Sequence, residues 1–169
     1  FKNLYVIPAT INLAGADIEL IDKSKMDPTF VKGAQLKKHI DEIRDVFDFI
    51  IIDCPPSLGI LTTNALTASD SVIIPVQCEF FALEGIMQLL NTIMLAQKNL
   101  NPNLTIEGVL LTMLDSRTNL GLEVVEDIKS YFKERVYDTI IPRLVRLSEA
   151  PSHGEPILVY DPQSRGTEA

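Results

Sequence analysis

Short apolar runs alternate with longer stretches of helical periodicity along this chain, and that alternation restricts it to an α/β fold with a mainly parallel sheet. The strand-like runs occupy residues 4–8, 48–53, 71–76, 106–112 and a short piece at 139–141. Between them Leu36, Ile40, Ile43 and Phe47 recur at spacings of four, three and four, which draws one apolar stripe along an amphipathic helix. Leu83, Ile86, Met87, Leu90, Ile93 and Met94 repeat the pattern in the next crossover, with the methionines as core filler. Leu120, Val124, Ile128, Tyr131 and Phe132 repeat it in a third, where Asn119 is placed to cap the helix. Weaker helices are expected at residues 13–21 and 61–68. The expected architecture is a sheet with helices on both faces, begun in mid-pattern: no βα unit precedes the first strand, and residues 164–169 read as the lead-in to a final helix.

Length and composition bound the rest. A chain of 169 residues, 46% hydrophobic and 22% charged, is read as a single α/β domain spanning residues 1–169. No apolar run approaches the ~20 residues that span a bilayer, and Phe1-Lys2-Asn3-Leu4 has neither a basic leader nor a cleavage site. Cys54 and Cys78 lie 24 positions apart without metal-site spacing, so they are expected to be reduced thiols in a cytoplasm. A formal charge of -8 argues against a generally basic surface for nucleic acid. Any contact with DNA has to be local.

Residues 48–59, Asp-Phe-Ile-Ile-Ile-Asp-Cys-Pro-Pro-Ser-Leu-Gly, carry the strongest hint of chemistry. The run from Phe49 to Ile52 shows no alternation and is too short for a helix, which predicts a strand buried on both faces and ended by Asp53. Pro55 and Pro56 cannot continue a ladder, so the chain turns there. Ligands of open parallel sheets bind beyond the carboxyl ends of the strands. An acid at that point, followed by a tight turn, suits the water shell of Mg²⁺, which takes only one or two carboxylates. It equally suits a strand end that simply meets water. Gly59 is expected to supply a backbone geometry that a Cβ would resist, and the segment suits a loop that senses phosphate.

Four blocks in order carry a resemblance: residues 48–59, residues 71–85 (SVIIPVQCEFFALEG), residues 108–121 (GVLLTMLDSRTNLG) and residues 141–157 (IPRLVRLSEAPSHGEPI). Together they resemble the ParA/Soj family of chromosome- and plasmid-partition ATPases, deviant-Walker P-loop proteins. The resemblance implies a P-loop NTPase-like three-layer fold, a Walker B role for Asp53 on Mg²⁺ through water, and a switch formed by Pro55, Pro56, Ser57 and Gly59. It also implies a cytoplasmic, nucleoid-associated ATPase that dimerises around two ATP molecules, binds nonspecific DNA, and is stimulated by a ParB/Spo0J-type centromere-binding protein. The phosphate-binding pattern GxxxxGK[ST] occurs nowhere in these residues. ATP hydrolysis is therefore expected of the parent protein and not of this chain alone.

The same resemblance nominates Met113, Asp115 and Pro142 as edging the adenine; a strand end followed by a capped helix accounts for each of them equally. It implies that Arg117, Arg143 and Arg146 contact the DNA backbone, a task that suits the planar guanidinium. Positions 115–169 hold ten acidic and seven basic residues, so composition alone reads these arginines as solvated surface charges. Glu79 and Glu84 flank Phe80 and Phe81 after another strand end, where a dimer face and a capped helix entrance both account for them. His39 and His153 receive no catalytic role. The alternatives are a MinD-like membrane-cycling ATPase, which needs a basic amphipathic helix at its carboxyl end, a nonenzymatic binding module of the same fold, and an iron-sulfur reductase, which needs paired cluster cysteines.

Overall fold

The computed structural model describes residues 2–169. The chain forms two compact units, one from the residues up to Asp70 with Thr92–Leu104, the other from Ser71–Asn91 with Thr105–Ala169.

The first unit is helical. A 3-10 turn at Ile11–Gly15 leads into α1, Ala16–Met26, later than the expected residues 13–21 because the first turn is wound tighter. Asp17 and Glu19 in the first turn of α1 and Lys23 and Lys25 in its last turn match the helix dipole. Asp27 then stops it, its Oδ1 accepting from the backbone N–H of Thr29 at 2.8 Å and from Thr29 Oγ1 at 2.7 Å. Helix α2, Gln35–Ile43, presents the expected stripe, with Leu36, Ile40, Ile43 and the following Phe47 all half-buried.

Helix α3, Ile60–Ala68, forms the centre of this unit and buries Ala65, Leu66 and Ala68. Its buried polar residues are all bonded, as burial demands. Asn64 accepts from the backbone N–H groups of Gln35 at 2.8 Å and Leu36 at 3.1 Å, so a side chain of α3 satisfies the orphan donors of α2. The same side chain donates from Nδ2 to the Lys32 and Ile60 carbonyls, each at 2.9 Å. Asn101 closes the other end of α3, donating to the carbonyls of Leu66 at 3.0 Å and Ser69 at 2.7 Å.

The strands expected at residues 4–8 and 48–53 are not formed. Both segments run without ladder hydrogen bonds, and among the described residues the sheet has three strands only. The expected double burial is also absent, with Phe49 87% and Ile51 92% exposed. An apolar, β-branched run has strand propensity, but a strand exists only when a neighbour takes its N–H and C=O groups. No described segment does so here.

The second unit holds the parallel sheet, in the order β1 (Ser71–Gln77), β2 (Thr105–Leu114), β3 (Val136–Pro142). Helix α4, Ala82–Asn99, runs between β1 and β2, and α5, Asn119–Phe132, between β2 and β3, as parallel pairing requires. Val109 and Leu111 on the central strand are fully buried. Gly108 is required there, since a Cβ would stand 2.7 Å from the Tyr137 ring. Helix α5 faces this sheet through Val124, Val125 and Ile128, while Leu120 and Tyr131 of the expected stripe are exposed. On α4, Ile86, Ile93 and Ala96 are buried, and Leu83, Met87 and Met94 remain exposed, so its methionines are not all core filler. The cap of α5 is Thr118 and not Asn119: Thr118 Oγ1 accepts from the Gly121 N–H at 3.3 Å. Three short helices, α6 (Val145–Glu149), α7 (Ile157–Tyr160) and α8 (Arg165–Glu168), complete the unit.

The Asn64 network gives a test of the first unit. Asn64→Ala leaves two N–H groups of α2 without their acceptor and is expected to cost about 2 kcal/mol in urea unfolding; a loss below about 0.5 kcal/mol would mean that water replaces the side chain freely.

Candidate functional site

The carboxyl ends of the three strands in the second unit surround a cavity of about 840 Å³. Ligand pockets of small molecules run from roughly 300 to 1,000 Å³, so this one has room for a nucleotide-sized molecule. Its wall combines residues that directly follow β1 (Cys78, Glu79, Phe80, Phe81), the end of β2 and the residue after it (Met113, Asp115), and Arg143 just beyond β3.

Local backbone geometry fixes these positions. Cys78 donates its N–H to the Thr112 carbonyl at 3.0 Å, and Arg143 donates its N–H to the Leu114 carbonyl at 2.9 Å, so the pairing of β2 with both neighbours continues past the strand ends. The β2–β3 register slips between Leu111 and Leu114, and Met113 within that slip has a left-handed φ of 55°. A side chain in that region stores on the order of 1 kcal/mol of strain, a signature of functional sites. Phe80 and Phe81 meet edge to face at 5.1 Å and stay largely exposed, leaving aromatic surface at the cavity wall.

Charge at the rim is organised in pairs. Arg117 grips Asp115 with two bonds, Nε to Oδ1 at 2.8 Å and Nη2 to Oδ2 at 2.7 Å, while the Arg117 backbone N–H reaches Oδ1 at 3.1 Å. These hydrogen bonds hold the Asp115 carboxyl down at about 2, helped by the charges of Arg117 and Arg143. Arg143 Nη2 in turn donates to Glu79 Oε1. Arg146, on α6, belongs to a different cluster, with Glu149 at 3.2 Å, Asp161 at 3.6 Å and the Tyr160 ring at 5.7 Å.

The sequence-nominated residues therefore separate into groups. Met113, Asp115 and Arg143 line one cavity, Arg117 is bonded to it through Asp115, and Pro142 pairs with Leu114 in the ladder without lining the cavity. Asp53, Pro55, Pro56, Ser57 and Gly59 lie in the first unit. Asp53 is exposed and ends no strand, and among the described residues no cation is paired with it. Partial desolvation and then the Asp53 charge push the neighbouring Cys54 thiol up, and Cys54 and Cys78 are both unbridged. The segment after the two prolines is tied to α3: Thr62 Oγ1 donates to the Ser57 carbonyl, and Thr63 Oγ1 to the Gly59 carbonyl at 3.0 Å. Gly59 has φ of -84°, open to any residue, and an added Cβ would make only ordinary contacts, so the expected conformational need for glycine is not met there.

Sequence reasoning left the role of Glu79 open and missed Thr118. The rule applied to Asp53, that residues just past a parallel strand face the ligand crevice, applies to the end of β1 as well and points to Glu79. Among the described residues no cluster of His, Cys, Asp and Glu could hold a metal by itself, and no helix is long and apolar enough to cross a membrane.

The pair at the rim yields a titration test. Because Asp115 is depressed in the folded state, the stability it contributes is complete above its ordinary value of 3.8 and is lost as the pH falls through about 2. Arg117→Ala is expected to return Asp115 toward 3.8 in a carboxyl ¹³C NMR titration; a midpoint left at its original position would assign the depression to another partner.

The AAA_31 family, described as an AAA domain, matches residues 1–106. The sporulation initiation inhibitor protein Soj of Bacillus subtilis is 64% identical over 99% of this chain, and the chromosome partitioning protein ParA of Myxococcus xanthus is 51% identical over 99%. The chain spans 64% and 57% of the lengths of these relatives. Among solved structures, a cobyrinic acid a,c-diamide synthase from Mycobacterium smegmatis with bound ADP and magnesium is 42% identical and superposes with a TM-score of 0.70, over 81% of this chain and 54% of its own.

Proposed function

Because the chain belongs to the AAA_31 family and, within it, groups with the ParA/Soj partition proteins, we propose that the full-length protein is a partition ATPase that binds DNA in its ATP-bound, dimeric state. The observation that carries this reading is the cavity at the carboxyl ends of three parallel strands, since open α/β sheets bind nucleotides there. Aromatic and apolar groups at Phe80, Phe81 and Met113 suit the face of a base, and Asp115 can accept from an N–H or O–H of the nucleoside. Pro142 holds the β3 end of the same site in register.

Asp53 is assigned to the water shell of Mg²⁺. The fit is chemical: a single exposed carboxylate without an ion-pair partner among the described residues is free to accept from metal-bound waters, and Mg²⁺ keeps most of its waters. When bound, the metal supplies charge neutralisation for the phosphates. Residues 55–59 follow Asp53 after Cys54 and are anchored to α3 by the hydroxyls of Thr62 and Thr63, so a shift of this segment reaches a buried helix. Pro55 and Pro56 limit how that segment can bend.

Arg117, Arg143 and Arg146 are assigned to DNA phosphates. Each holds a carboxylate partner in the present state; the exposed pairs of Arg143 and Arg146 are of a kind worth only ~0–1 kcal/mol, and a phosphate offers Arg117 the same two-bonded fork as Asp115, so a phosphate can replace the partner. Binding of this type is nonspecific and falls steeply with salt. A ParB-type centromere-binding protein is the proposed activator of hydrolysis.

The test uses the full-length protein. It is expected to hydrolyse ATP slowly, to bind duplex DNA only with ATP, and to lose turnover by about a hundredfold on Asp53→Ala. Unchanged magnesium-dependent turnover in Asp53→Ala would remove Asp53 from the metal site.

A further inference from the structure

We propose that Asp115 is shared between the cavity and Arg117, so that a nucleoside group donating a hydrogen bond to this carboxylate releases the Arg117 guanidinium to a DNA phosphate. The proposal rests on the reading of the cavity as a nucleotide site and of Arg117 as a phosphate contact.

Four observations lead to it. Asp115 lines the cavity and its side chain is 26% exposed, whereas the Arg117 side chain bonded to it is 87% exposed. The pair therefore straddles the rim, with the acid inside and the base outside. Both oxygens of Asp115 are committed to Arg117, which occupies the Nε and Nη2 edge of the guanidinium, an edge that grips carboxylate and phosphate alike in a two-bonded fork. In this state the charge of Arg117 is cancelled where a phosphate would need it. The backbone of Asp115 is fixed, because its carbonyl accepts from the Thr118 N–H at 3.1 Å and from Thr118 Oγ1 at 2.9 Å, at the cap of α5. The part of the arrangement free to move is the long arginine side chain.

The rim also carries an alternating row, Glu79 with Arg143, and Asp115 with Arg117, in which Arg143 acts electrostatically on Asp115 as well. A donor entering the cavity reaches Asp115 from the cavity side and competes for an oxygen of the fork, and the two bonds that Arg117 gives up are replaced by that new hydrogen bond and by a phosphate that the same guanidinium edge can grip. The affinity of one site then depends on occupancy of the other, which by linkage works in both directions: nucleotide favours DNA, and DNA favours nucleotide.

The experiment measures binding of a fluorescein-labelled random-sequence duplex to the full-length protein by anisotropy, with and without ATP. Asp115→Asn keeps the shape of the side chain and removes the charge that retains Arg117. It is expected to raise nucleotide-free DNA affinity by about fivefold, and adding Arg117→Ala to it should abolish that gain. If Arg117→Ala weakens DNA binding with ATP present but Asp115→Asn leaves nucleotide-free binding unchanged, the handover is wrong while the DNA assignment stands. If Arg117→Ala leaves ATP-dependent DNA binding intact, the DNA assignment of Arg117 falls and the handover with it. The Arg117 Nε–H resonance in ¹⁵N NMR reads the same step without a variant: it should move on saturation with ATP, and a resonance that stays fixed overturns the proposal.

Discussion

Everything at the candidate site hangs on the pairing of β2 with a neighbour on each side. Its Val109 and Leu111 are fully buried, and the ladder carries on past the strand ends through Cys78 to Thr112 and Arg143 to Leu114. Parallel pairing forces all three carboxyl ends to one edge, and the two crossover helices leave that edge open. Glu79, Asp115 and Arg143 therefore converge although they are distant in sequence. The slip near Met113 adds a second consequence: it interrupts regular β2–β3 pairing beside the cavity before the ladder resumes at Leu114 and Pro142.

Electrostatics then decides how this edge behaves at rest. Each of Arg117, Arg143 and Arg146 is held by a nearby acid. In the proposed function, the compositional reading of these residues as neutralised surface charges and their contact with DNA phosphates describe two states of the same groups. What distinguishes the states is whether something else takes the acid. Asp115 is the acid best placed for that, because it alone among these partners both lines the cavity and holds its arginine with two bonds.

The sequence was most readable where burial and local periodicity agree. The three strands of the sheet and the two crossover helices between them are present near their expected positions, because Ile74, Val109 and Ile128 are buried by partners within the chain described. It misled at residues 48–53, where Phe49 and Ile51 have the propensity for a buried strand and no described neighbour to pair with. Propensity is a local quantity and a ladder is not. The Asn64 and Asn101 caps were invisible for a similar reason: each bonds backbone groups that lie roughly thirty residues away, and no pattern near either residue encodes that distance. Asp115 was legible as a strand-end residue, but its bond to Arg117 and its place beside Arg143 needed the folded turn.

The central claim is that the carboxyl ends of β1, β2 and β3 form the base-binding half of a nucleotide site. Photolabelling of the full-length protein with 8-azido-ATP, followed by peptide mapping, tests it most directly. The account predicts adducts confined to residues 77–86, 113–121 and 142–143, competed away by ATP. ATP-sensitive adducts found solely outside those stretches would contradict it.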